Sequence, residues 1–432
     1  MRFNSLNYSL EKLAKFALSH PKIIQNISRL VNYNDEPKIF TYVAHYSTNG
    51  KSVSDSSSGT SFNQKRALIK VLGEAFERYC LDTVDEKNLI TASISELNDS
   101  YLDPLRIPTF SKNQLSKISF KQFVITRNTK FRWIKGYSYR ENKITLIPAQ
   151  LVFTNYKLLK YEPFIRFPVS TGGATHVSLE SALYRGICES IERDSFMIYY
   201  LNKIPPRIVN INTIKDREFN SILNILNRYK LELRLLNMST DLEIPVYVSL
   251  LFDKTGRGPA VSLGLKAGFD TIAGFIGSVE EALMTRSWIR DEFIYRKKEF
   301  KISEKIETLD QRAYYWLKPE MIKKLDFLLE GVQQRRIHKS NHKSEKDNLQ
   351  GVLEFLKKAN LDVYYVDITQ RKIKEAGFIV LKVFIPELYP VYFDEKYPYF
   401  GIPRLYDVPV NLGIAKKKKK ETEFNLIPHP FL

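Results

Sequence analysis

Apolar residues fall at helical spacing in three long windows of the chain and at alternate positions in several shorter ones. This mixture of periods predicts an α/β architecture. The first long window runs from Asn63 to Asp82, with Ala67, Leu68, Val71, Leu72, Ala75, Phe76 and Tyr79 on one stripe. On that period Lys70, Glu74 and Glu77 share an edge, because residues three and four apart lie on one helix face. The second window begins near Leu179, where Ser178 is a ready N-cap, and the third covers about Thr271 to Lys298. Strand-like runs are "IFTYVAHYS" (39–47), "ELRLLNM", "EIPVYVSLLF", "PAVSLGLKAG", "LDVYYVDIT" (361–369) and "FIVLKVFIP" (378–386). Residues 132–153 alternate on both sides of Glu141–Asn142 and read as a hairpin.

The remaining segments are less regular. Residues 8–32 read as short amphipathic helices, through Leu10, Leu13, Phe16 and Ala17 and then Ile23, Ile24, Ile27 and Leu30. "TNGKSVSDSSSGTSFN" (48–63) is rich in Gly, Ser, Asn and Asp and reads as a loop. Residues 300–357 are strongly charged and read as a peripheral helical insertion, and a proline-containing tail occupies 421–432. No clean linker interrupts the pattern. The expected organisation is an N-terminal helical segment over 1–40 followed by one intertwined α/β domain over 41–432.

Composition narrows the class. The chain has 432 residues with 44% hydrophobic content, enough for a large core, and its 26% charged residues are ordinary for a globular protein. The net charge of +18 raises the question of a polyanionic partner. The basic residues are scattered ("RKKEF", "QRRIHKSNHK", "KKKKK"), and no zinc-finger, RRM or helix-turn-helix pattern is present, so nucleic acid is not the expected partner. Two cysteines, Cys80 and Cys188, imply no disulfide framework and fit a cytoplasmic protein. The six histidines have no metal-ligand spacing, the first residues lack a signal-peptide core, and no apolar run is long enough for a membrane span.

The candidate chemistry lies in a near-repetition. "GEAFERYC" (73–80) and "CESIERDS" (188–195) each place two glutamates three apart with an arginine after the second: Glu74, Glu77, Arg78 and Glu189, Glu192, Arg193. The third helix adds Glu280 and Glu281 in "SVEEALMTR". A single pair of this kind is readily explained as a local helix salt bridge. Recurrence beside apolar stripes points instead to carboxylates converging on a hard cation such as magnesium, with the arginines serving phosphate or orienting the carboxylates. "STGGATH" (170–176) opens onto the second helix, and its glycines allow close backbone approach to an anion. No Walker loop or kinase motif series is present.

Together, "SGTSFNQKRALIKVLGEAFERYC", "WIKGYSYRENKITLIPAQLV", "STGGATHVSLESALYRGICESIERDS", "DVYYVDITQRKIKEAGFIVLKVFIPEL" and the final "PHPFL" resemble the YcaO family, in order, from about residue 40 onward. The resemblance implies an α/β fold of the YcaO type, with mixed sheets and long helices carrying a magnesium–ATP site. By position, Glu74, Glu77, Glu189, Glu192 and Glu281 match the metal-holding glutamates. Lys70, Arg78, Ser170, Thr171, Gly172, Arg193 and Arg286 match nucleotide-side positions. The chain departs from the family pattern at Lys70, His176, Gly277 and Met284.

The activity this resemblance implies is ATP-dependent cyclodehydration of Cys, Ser or Thr in a ribosomally made precursor peptide, as in bacteriocin biosynthesis. Alternatives are peptide thioamidation, or a non-catalytic scaffold with an altered ATP site. Azoline-forming relatives end in a PxPxP segment, and Pro428, His429, Pro430 and Leu432 occupy that place here. The resemblance implies a tail that reaches the site, a terminal carboxylate acting as base and His429 as its helper. It also implies a separate E1-like, leader-peptide-binding partner, which the short N-terminal segment would dock, and a homodimer.

Overall fold

Three sheets and three long helices form the body of the protein. They are seen in a computed structural model that describes residues 3–48, 55–297, 306–334 and 344–432. The first sheet has three antiparallel strands in chain order: β1 (Ile24–Leu30), β2 (Phe40–Tyr46) and β3 (Asp55–Ser61). The second contains β4 (Ile90–Ser93), β5 (Lys130–Ser138), β6 (Lys143–Pro148), β7 (Gly173–His176), β13 (Tyr364–Asp367) and β14 (Ile379–Phe384). Its order is β4-β5-β13-β14-β7, with β6 paired to β5. The third runs β11-β10-β9-β8-β12, through β8 (Arg207–Val209), β9 (Leu231–Asn237), β10 (Val246–Asp253), β11 (Val261–Ala267) and β12 (Gln333–Gln334).

The helices begin where local chemistry directs. Helix α1 covers Phe3–Ser19. Helix α2 (Gln64–Asp82) starts at Asn63, whose side chain accepts from the Arg66 N–H. Helix α3 (Leu179–Asn202) starts at Ser178, which accepts from the Ser181 N–H. Helix α4 (Arg217–Arg228) and helix α5 (Thr271–Ile289) are capped by Asp216 and Asp270. Such caps satisfy one of the free N–H groups at a helix start. Helix α6 (Glu345–Lys358) lies against α3.

Two expectations fail in the N-terminal region. Residues 24–30 form a strand rather than a helix, pairing with β2 from Ile24 against Tyr46 to Leu30 against Thr41. The apolar spacing there fits a helical face, but the ladder with β2 outweighs this short-range preference. The serine-rich segment is not all loop, because 55–61 is a strand paired along the whole of β2. Its small side chains let α2 lie directly on it. A Cβ at Gly59 would come 2.3 Å from the Val71 nitrogen. The buried hydroxyls find partners, with Ser57 donating to the Val71 carbonyl at 3.1 Å.

Residues 1–40 contribute to the same core as α2. Leu13, Phe16 and Ile24 belong to one apolar cluster with Val71 and Phe76, and the Phe16 and Phe76 rings meet edge-on at 4.6 Å. The charged 300–357 region is only partly helical. It holds a short helix at Leu309–Tyr315, a 3-10 stretch at Pro319–Leu328, β12 and α6. Residues 298–305 and 335–343 lie outside the described residues.

Helix α5 crosses the third sheet where Gly264 leaves room. A Cβ there would fall 2.2 Å from the Ser278 carbonyl oxygen and 2.4 Å from the Ala282 nitrogen, both backbone atoms. Gly264→Ala is therefore expected to destabilise the protein by about 1–3 kcal/mol, as overpacking does. The check is a denaturant melt compared with Ser262→Ala on the same strand; equal midpoints for the two variants would contradict the close-approach account.

Candidate active site

Helices α2, α3 and α5 direct their acidic edges toward one another, beside the turn that precedes β7. In α3, Arg193 is the hub. Its guanidinium bonds Glu189 at 3.2 Å and Glu192 at 3.1 Å and approaches Glu281 of α5 at 3.8 Å. Each of these carboxylates also accepts a backbone N–H: Glu189 from Gly172 (3.0 Å), Glu192 from Ala267 (2.8 Å) and Glu281 from Leu265 (2.5 Å). On α2, Glu74 accepts from the Ser58 N–H at 3.2 Å and from Arg78 at 3.3 Å. Burial raises the carboxyl pKa of both Glu74 and Glu281, because the charged form loses water.

Glu77 is the exception in the cluster. Among the described residues it makes no hydrogen bond, and it lies against the turn: a Cβ at Gly173 would come 2.7 Å from its Oε1. Burial, followed by the nearby Glu189 charge, pushes its pKa up to about 8. A carboxylate with no donor, set beside a second carboxylate, fits a cation-binding role. The turn itself needs its glycine. Gly172 has φ +85°, and a Cβ there would meet the Val383 oxygen at 2.2 Å. The Gly173 N–H donates to the Ser170 carbonyl, closing the turn at 2.8 Å.

Among the described residues, no three acidic, histidine or cysteine side chains already form a metal-ligand group. Arginines and backbone N–H groups take up most of the carboxylate oxygens instead. The donor set still fits a hard cation, since the five carboxylates come from three helices and one of them lacks any donor.

Several residues occupy places that the sequence does not reveal. Lys70 bonds Glu280 at 2.6 Å and the Thr60 carbonyl at 3.0 Å. Glu280 also accepts from Ser61, so the acidic pair of α5 divides between two environments. Arg286, expected on the nucleotide side, is corrected to a structural role. It is buried and donates to Glu36, Asp253 and the Pro259 carbonyl. His429 is likewise corrected. It is buried, its Nε2 faces the Tyr392 carbonyl at 2.9 Å, and burial and then the Arg312 charge hold its pKa well below the ordinary value. The ring is enclosed, and its Nε2 is taken up by that carbonyl. His176 faces Glu345 of α6 at 3.9 Å rather than the turn.

The tail is pinned beside the cluster. The Pro428 carbonyl accepts from Tyr200 and Trp316, and the His429 carbonyl accepts from Arg312. Phe431 then lies 4.2 Å from the Arg193 guanidinium carbon, a cation–π contact on the hub itself. Leu432 packs near Ile289 and Phe293.

Two lysines escaped the sequence reading. Lys382 of β14 donates to the Val169 and Thr171 carbonyls, both at 2.6 Å, and burial pushes its pKa down to about 8. A single lysine in the apolar run "FIVLKVFIP" was the available signal. Lys266 of β11 reaches Glu192 at 3.5 Å, and its stem passes within 3.1 Å of where a Gly277 Cβ would stand. The missing side chain at 277 is what gives Lys266 this path.

The family model described as "YcaO cyclodehydratase, ATP- and Mg2+-binding" matches residues 58–389. Among solved structures, one titled "Heterocyclase in complex with substrate and Cofactor" is 21% identical with TM-score 0.79, over 98% of this chain and 57% of that one. The heterocyclase TruD is 22% identical with TM-score 0.66, over 85% and 51%. YcaO from Methanopyrus kandleri bound with AMPPCP and Mg2+ is 15% identical with TM-score 0.66, over 91% and 94%. The chain thus spans about half the length of the two heterocyclases and nearly all of the Methanopyrus protein. At these identities the structures share the fold.

The raised Glu77 pKa has a consequence for stability. An unfolded glutamate titrates near 4.5, so between that pH and about 8 the folded protein holds the extra proton. The contribution is complete below about 4.5 and is lost as pH rises through about 8. Thermal melts of the ligand-free protein from pH 5 to pH 8 are expected to decline less steeply in Glu77→Gln, which should melt above wild type at pH 8. Parallel curves for the two proteins would show that Glu77 is not the titrating group.

Proposed function

The chain belongs to the YcaO family, and we propose that it catalyses ATP-dependent cyclodehydration of Cys, Ser or Thr residues in a ribosomally made peptide. The observation that carries this reading is the pairing of Glu77 and Glu189 across the 170–173 turn, with Arg193 tying Glu189 to Glu192 and Glu281. Glu74, Glu77, Glu189, Glu192 and Glu281 would hold magnesium, which supplies charge neutralisation to a triphosphate. Arg78, Arg193 and Lys70 would turn from their carboxylates toward phosphate oxygens. Ser170, Thr171 and Gly172 present backbone close to the same place. Lys266, filling the space above Gly277, would provide the positive charge that the family pattern carries at that helix position.

The chemistry asked of these residues is placement and charge compensation. The peptide's side-chain oxygen or sulfur attacks the preceding carbonyl carbon and loses its proton. The carbonyl oxygen then accepts the γ-phosphoryl group, leaving ADP. Loss of the amide N–H proton and departure of inorganic phosphate leave the azoline ring, for a net loss of one water from the peptide. Phosphorylation turns a poor leaving group into a good one, and the protein's part lies in orientation and electrostatics. Tail residues 428–432 would cover Arg193 through Phe431 and bring the Leu432 carboxylate to the same region, as the base. We assign recognition of the peptide leader to an E1-like partner.

Calorimetry with ATP is the first test. Wild type is expected to bind ATP only with magnesium, and Glu74→Gln and Glu192→Gln are expected to weaken binding at least tenfold, roughly the effect of losing one charged partner, with unchanged circular dichroism. With a candidate precursor and its partner, mass spectrometry should then show the loss of one water per ring. Replacement of oxygen by sulfur would favour thioamidation. No ATP binding in the presence of the partner would leave the scaffold reading in its place.

A further inference from the structure

A cleft open at its mouth adjoins the acidic cluster. Thr171, Arg193 and Lys382 line it and also belong to the cluster, so the two spaces share a boundary. Beyond that boundary the walls are apolar, formed chiefly by Phe153, Phe167, Phe384 and Leu388. No acidic side chain lines it among the described residues.

One polar group in the wall is unsatisfied. Arg166 is 5% exposed, donates to the Pro108 and Pro386 carbonyls, and stacks its guanidinium 5.3 Å from the Phe384 ring centroid. Its Nε–H is buried and makes no hydrogen bond among the described residues. A buried donor left without an acceptor is expensive to maintain. Burial pushes the Arg166 pKa down to about 10, so the group remains a cation at neutral pH. Two carbonyls already accept from its Nη2, and the buried Nε–H calls for a further oxygen acceptor. A peptide carbonyl meets that need without bringing a second charge into a largely apolar wall.

We propose that this cleft receives the residue preceding the cyclised one in the substrate peptide, with an apolar side chain against the phenylalanines and a backbone carbonyl accepting from Arg166. This rests on the cyclodehydratase reading and adds a substrate preference to it. The occupant follows from position. A residue held in the cleft has its own carbonyl, the one to be phosphorylated, at the boundary formed by Thr171, Arg193 and Lys382. Lys382 is thereby a positioning residue: it lines the cleft and holds the 169–171 backbone through two hydrogen bonds.

The test uses N-acetyl dipeptide amides X-Cys, with X as Gly, Leu, Phe or Asp, titrated by ligand-observed NMR into the protein saturated with magnesium–AMPPCP. Leu and Phe are expected to bind about tenfold more tightly than Gly, the effect of burying one large apolar side chain, and Asp no better than Gly. Val169→Trp narrows the cleft and should remove the preference while retaining nucleotide binding, which also reports its folding. Phe167→Ala, at a half-buried position, should reduce the preference for Phe. Equal binding of all four dipeptides, tightest binding of Asp, a preference unchanged in both variants, or no dipeptide binding would each overturn the proposal while leaving the nucleotide site intact. Failure of magnesium–AMPPCP to bind at all would instead remove the function on which it rests.

Discussion

The structure turns on the buried guanidinium of Arg193. It is held by Glu189 and Glu192 of its own helix, approached by Glu281 of α5, and covered by the Phe431 ring of the tail. A buried cation is tolerable only when its charge and its donors are matched. Here the matching groups come from two helices and the tail, so satisfying one side chain fixes the relative placement of all three. The carboxylates are bound in turn by backbone N–H groups of the 170–173 turn and of β11. The cluster therefore orders strands as well as helices.

The same arrangement holds negative charges close together that would otherwise repel. Glu77 lies beside Glu189 with no donor of its own, and its carboxyl is easier to protonate as a result. A fold selected only for stability would place an apolar side chain there. Retaining an ionisable group in such a place is consistent with the cation-binding role proposed for it. Arg286 shows the contrasting case. Its partners Glu36 and Asp253 are both present and buried, and their carboxylates offset its charge.

Glycines determine how near these elements come. Gly59 lets α2 lie on β3, Gly264 lets α5 lie on β11, and Gly172 permits a turn that reaches the Val383 carbonyl. Gly277 acts differently, since its missing side chain is replaced in space by the stem of Lys266. A cation drawn from a strand thus stands where the helix offers none.

Much of this was legible along the chain. The three long helices, the cap at Ser178, the hairpin about Glu141–Asn142 and the strands of the second half follow from periodicity and capping, because those signals are local. The paired glutamates of α2 and α3 were legible for the same reason: spacing of three and four fixes a shared face. What pairing across long distances decides was not legible. Ile24–Leu30 and Asp55–Ser61 are strands because each satisfies an edge of β2, and no window of sequence contains that requirement. Tertiary structure likewise sent Glu280 to Lys70, closed Arg286 with Glu36, enclosed His429 and brought Lys382 and Lys266 to the carboxylates. The sequence determined which faces were acidic; only the packing decided which charges met, because electrostatic partnership depends on distance in space.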